Sequence, residues 1–100
     1  STDQVQYPYS WTDHIVWEYD LVKMTATWTG GPNQLVYQIR KVSTYDGILR
    51  LEIGNQFKTG WVDEFKPQRD GTMLLTSINV KLVDGQMDGS FTRNVRLISR

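Results

Sequence analysis

The chain is 100 residues long, with eleven basic side chains, eleven acidic ones and no cysteine. That length suits one domain burying about two-thirds of its unfolded surface, and the missing cysteines exclude disulfides, thiolate metal sites and a thiol nucleophile. The charge balance excludes the basic footprint of a nucleic-acid binder, and no run reaches the roughly eighteen apolar residues of a membrane span.

The balance conceals a division, with eight acids against five bases in residues 1–65 and six bases against three acids in residues 66–100. In so small a domain the two halves interleave and neutralise one another; a local anion site is the narrower reading. Period-two alternation and closely spaced turn residues predict an all-β domain over residues 1–100.

The first feature from the N-terminus is aromatic. Tyr7, Tyr9, Trp11, Trp17 and Tyr19 crowd the stretch that also holds the only histidine, His14. Pro8 and the terminal position predict that residues 1–13 are an irregular segment packing on the rest of the fold. Extended, all five rings share a face with Ile15 and Leu21, because every one has an odd number. The next apolar face is even: Val22, Met24, Ala26 and Trp28. The parity therefore flips near Asp20. A bulge or break there sends Trp17 and Tyr19 into the same core as Trp28, the favoured reading, since large rings contribute most when buried. A strand running straight through would instead display Tyr7, Tyr9, Trp11, Trp17 and Tyr19 as a surface for a protein or glycan partner.

His14 with Asp13 and Glu18 is the only His–carboxylate cluster, and no nucleophile is placed beside it. It reads as an edge histidine facing solvent, so no catalytic residue is assigned. A single histidine without cysteines also leaves no dedicated zinc site, and no cofactor fingerprint occurs.

Next comes a hairpin around Gly30-Gly31-Pro32-Asn33, which sets Trp28 against Leu35, Ala26 against Tyr37 and Met24 against Ile39. Thr44-Tyr45-Asp46-Gly47 then fits a type I turn with a glycine bulge, pairing Ile39 with Ile53 and Arg40 with Glu52. A strand follows from Gly60 to Phe65, where Asp63 and Glu64 point to opposite faces and so cannot form an acid–base couple. Lys66 to Gly71 reads as the turn into a strand over 72–83.

Asp84-Gly85, taken as a two-residue turn, pairs Leu74 with Val95, Ile78 with Phe91, Val80 with Gly89 and Leu82 with Met87. In that register Arg93 opposes Thr76 and points inward beside Phe91, Val95 and Leu97. A buried guanidinium needs a carboxylate, a route to solvent or an anionic ligand.

Consecutive hairpins make an antiparallel up-and-down meander of six to eight strands, predicted to close into a small barrel, with a two-sheet β-sandwich as the alternative. This cysteine-free meander resembles the architecture of the lipocalin and fatty-acid-binding calycins. It departs from them in having no glycine two residues before Trp11, Trp17 or Trp28, and in reading Arg93-Asn94-Val95 where the fatty-acid-binding pattern is Arg-x-Tyr. The expectation is a non-enzymatic binding domain whose interior holds a small apolar or amphipathic ligand, lined by Trp28, Tyr37, Ile39 and Phe91 with Arg93 at an anionic end. An uncovered edge strand would pair two copies.

Overall fold

The computed structural model describes residues 10–12, 16–54, 59–81, 87–96 and 98–99. It contains β1 (Ser10–Thr12), β2 (Trp17–Asp20), β3 (Thr25–Trp28), β4 (Leu35–Tyr45), β5 (Ile48–Gly54), β6 (Thr59–Pro67), β7 (Met73–Lys81), β8 (Met87–Val95) and β9 (Ile98–Ser99). No helix occurs among the described residues. All nine strands belong to one sheet, in the order β8-β7-β6-β5-β4-β3-β2-β1-β9. The meander is thus present, as a single sheet and not as two stacked ones. Ser10–Thr12, inside the segment expected to be irregular, pairs with β2 as a strand.

The sheet curls into a half-barrel. Aromatic side chains of β2 meet those of β6, which lie four positions away in the strand order. β8 ends at Val95 on one edge, and β9 begins at Ile98 on the other, beside β1. Curling lets the inner face bury itself without a second layer.

The parity flip at Asp20 is a chain reversal. Residues Leu21–Met24 form a turn, and Asp20 then faces Thr25, Tyr19 faces Ala26 and Trp17 faces Trp28. The Asp20 Oδ1 accepts from the backbone N–H groups of Val22 and Lys23, both at 2.9 Å, as short side chains do when they stop a strand. The break at Asp20-Leu21 thus brings Tyr19 and Trp17 of β2 and Ala26 of β3 to the same core, which does not include Trp28.

The β3–β4 pairing is as expected: Trp28 faces Leu35, Ala26 faces Tyr37, and the Ile39 N–H donates to the Met24 carbonyl at 2.8 Å. Trp28 lies over the connecting loop, since a Cβ added to Gly30 or Gly31 would come within 2.8 Å of its indole. Between β4 and β5 the structure corrects the turn. Asp46 and Gly47 take φ of 50° and 77°, the two-residue type I′ geometry that matches strand twist, and Tyr45 faces Ile48. Lys41, not Arg40, opposes Glu52. Arg40 is the extra residue of a bulge, beyond which Ile39 still meets Ile53. The bulge switches the inward face of β4 from odd to even residues and so reconciles a tight turn with matching apolar faces.

The β7–β8 register also differs from the expected one. Leu74 faces Asn94, Ser77 faces Phe91, and Arg93 opposes Leu75, not Thr76. A second bulge, at Asp88, brings Val80 opposite Met87. The Asp84-Gly85 turn that anchored the expected register lies outside the described residues, as do Leu82 and Leu97. Odd residues of β7 face inward because β6 sets them: Phe65 opposes Leu75, and Asp63 opposes Ser77.

Trp11, Tyr19, Phe65, Ile39, Leu51, Leu75 and Val95 are fully buried. Trp11 stacks on Tyr19 across β1 and β2 at 5.2 Å, and both meet Phe65 edge-on at 5.8 and 5.4 Å. Such aromatic pairs add about 1 kcal/mol each beyond the area they bury.

Candidate functional site

Among the described residues the inner face carries buried polar groups along one row. Across β5, β6 and β7 that row runs Leu51, Asp63, Ser77, each directly opposite the next, and it continues to the backbone of Phe91 in β8. Asp63 is only 2% exposed. Its position follows from alternation in β6, where it shares the inward face with Trp61 and Phe65, while Glu64 turns outward to accept from Arg50 and from the Tyr45 hydroxyl. The expected opposition of Asp63 and Glu64 is therefore realised.

A carboxylate in this setting must be satisfied locally. The Ser77 hydroxyl donates to Asp63 Oδ1 at 2.6 Å, and the Tyr19 hydroxyl donates to Oδ2 at 3.0 Å. Burial pushes the Asp63 carboxyl above the usual carboxylate range. Hydrogen bonds from Ser77, Trp61 and Tyr19 oppose the shift, as does the nearby positive charge of Arg93.

Above this group lies a partly open pocket of about 210 Å³. One wall is aromatic, made by Trp17, Tyr37 and Trp61; Tyr19, Asp63, Leu75, Ser77 and Arg93 complete the lining. The three wall rings are half-buried and touch one another, with centroids 5.9 Å apart for Trp17 and Tyr37, 5.5 Å for Trp17 and Trp61, and 4.9 Å for Tyr37 and Trp61. The last pair is edge-to-face at 78°. An apolar wall beside a few convergent polar groups is the usual make-up of a small-molecule site.

Of the residues expected to line an interior site, Tyr37 and Arg93 do so. Trp28 does not, because its indole covers the Gly30-Gly31 loop, and Ile39 is buried in the core. Phe91 is placed in β8 by its backbone, but its side chain lies outside the described residues. The sequence reading missed Trp61, Asp63 and Ser77 as lining residues. The signal for Asp63 was present in Trp61-Val62-Asp63-Glu64-Phe65, where rings two residues to either side place the carboxylate on their own face.

The aromatic strip imagined as a displayed surface is divided by the fold. Trp11 and Tyr19 are core, with exposures of 0% and 1%, and Trp17 joins the pocket wall. The hairpin reversal at Asp20 puts Trp17 and Tyr19 on the face of Ala26, and Trp11 joins them by facing Tyr19 across β1 and β2. Tyr7, Tyr9 and His14 lie outside the described residues. A second depression, on the outer side of β1 to β3, is lined mainly by polar residues, among them Ser10, Glu18, Asp20 and Lys23. Among the described residues no group of three or more potential ligands could hold a metal ion, and no helix is long and apolar enough to cross a membrane.

Compared with known proteins, the chain matches no family model, no curated protein and no solved structure.

Proposed function

We propose that this domain is a non-enzymatic binding protein that holds one small apolar or amphipathic molecule against the Trp17–Tyr37–Trp61 wall. In this reading the curled sheet acts as a small barrel, and the pocket is its mouth. The observation that carries the proposal is the pocket's composition, with three half-buried rings around a polar floor, packed against a core of buried side chains.

Size limits the occupant. A cavity of about 150 Å³ takes a benzene ring, whereas drug-sized sites begin near 300 Å³. At about 210 Å³ the partly open pocket has room to enclose one ring with a short arm. A ligand of about ten atoms gaining roughly 0.4 kcal/mol per atom binds near 1 mM.

The test uses the four tryptophan indole N–H signals in a proton–nitrogen correlation spectrum. Benzyl alcohol, titrated to about 10 mM so as to exceed that affinity, is expected to shift the Trp17 and Trp61 signals saturably and leave Trp28 unmoved. Unsaturable shifts spread over all four signals, or none at all, would remove the pocket as a binding site.

A further inference from the structure

We infer that the occupant of this pocket is a small aromatic carboxylate, its ring lying flat on the aromatic wall and its carboxylate held by Arg93. The inference rests on the proposal that the pocket binds a ligand, and it fixes the sign of the charge recognised there.

Two charged groups line the site, and the geometry separates their tasks. Asp63 is almost completely enclosed, and its oxygens accept from Ser77 at 2.6 Å and Tyr19 at 3.0 Å. Its acceptor capacity is thus directed into the protein, with the Trp61 indole adding a further donor. Three donors on a carboxylate with about four acceptor sites leave it little capacity for a cationic ligand.

Arg93 is half-buried, opposes Leu75 across β7 and β8, and lines the pocket. Its guanidinium carries five donors in a planar fork. It already interacts within the protein. Its positive charge, part of the pocket lining, has the fork geometry that matches a carboxylate.

The wall argues for a planar ring. Tyr37 and Trp61 are in contact with each other and with Trp17, so no slot opens between them for a cation to enter. A flat ring instead lies against the side they present to the cavity, with Leu75 also lining the space.

Phenylacetate, 2-phenylethanol and 2-phenylethylamine share one ring and nearly one arm and differ in charge. Calorimetric titration of the unaltered chain at neutral pH is expected to rank phenylacetate tightest, by about tenfold or more over the alcohol, with the amine weakest. Arg93→Gln is expected to make phenylacetate and the alcohol bind alike. Equal binding of the acid and alcohol to the unaltered chain would overturn the carboxylate assignment and leave the binding pocket standing. Tightest binding of the amine would also overturn it, transferring recognition to Asp63. Binding of none of the three would sink the pocket and this inference together. The ranking on the unaltered chain decides the matter even if Arg93→Gln does not fold.

Discussion

Asp63 is the residue whose chemistry is most displaced by the fold. Because burial raises its pKa, there is a window above the ordinary carboxylate value of about 4 in which the folded chain keeps a proton that the unfolded chain has lost. Through that window the folded state binds more protons, so this group's contribution to stability falls as pH rises. Asp70 behaves oppositely. Hydrogen bonds from the Thr72 hydroxyl and N–H hold its carboxyl below the usual range, so its contribution is lost as pH falls below about 4. Urea midpoints measured from pH 4 to pH 7 should fall for the native chain over the Asp63 window, and Asp63→Asn should flatten that component of the profile. An unchanged slope in the variant would refute the assignment. Asp63→Leu should destabilise at every pH, because the Tyr19 and Ser77 hydroxyls then lose their acceptor at about 1–3 kcal/mol each.

At the scale of strands and turns, register decides which side chains meet. Deleting Arg40 removes only the bulge residue, and Ile39 opposite Ile53 and Lys41 opposite Glu52 then form a continuous ladder. That variant should fold with a stability change of about 1 kcal/mol or less, read by thermal unfolding. Deleting Glu52 shifts the alternation within β5 and turns part of the buried set Leu49, Leu51 and Ile53 outward, so it should abolish cooperative unfolding. Gly47→Ala places a Cβ at φ 77° and should cost about 1–2 kcal/mol, visible as a lowered urea midpoint.

These elements also show what the sequence could reveal. The β3–β4 hairpin was legible because Gly30-Gly31-Pro32-Asn33 and the apolar faces on either side of it require the same pairing. The turn at Asp46-Gly47 was not, because a bulge six residues away restores a match that the tight turn alone would break. The β7–β8 register was misread for a related reason: Leu74, Ile78 and Val80 make the even face of β7 the more apolar, yet β6 directs the odd face inward with Ser77 against Asp63. Arg93 and Tyr37 could be found from parity within one strand. The pocket as a whole required three correct registers and the curling of the sheet, neither of which alternation encodes.

Across the whole molecule, the first strand is paired by the last. Trp11 faces Ser99 and Thr12 faces Ile98, while Trp11 itself is fully buried against Tyr19 and Phe65. A chain ending at Arg96 should keep the β2–β8 meander but lose the strand that covers β1. Its tryptophan emission is expected to shift to the red and become more sensitive to acrylamide than that of the full chain. An unchanged spectrum would show that β9 contributes nothing to enclosing Trp11.

The same pairing has a consequence in time. Every other strand pairing links neighbours along the chain, so each hairpin can zip from its own turn with little loop-closure entropy. The β1–β9 pair alone brings residue 11 to residue 99, and it gains nothing until the sheet between them has curled. It is therefore expected to be the last clasp to shut in folding and the first to spring open, with the indole of Trp11 beside it as the natural clock for both events.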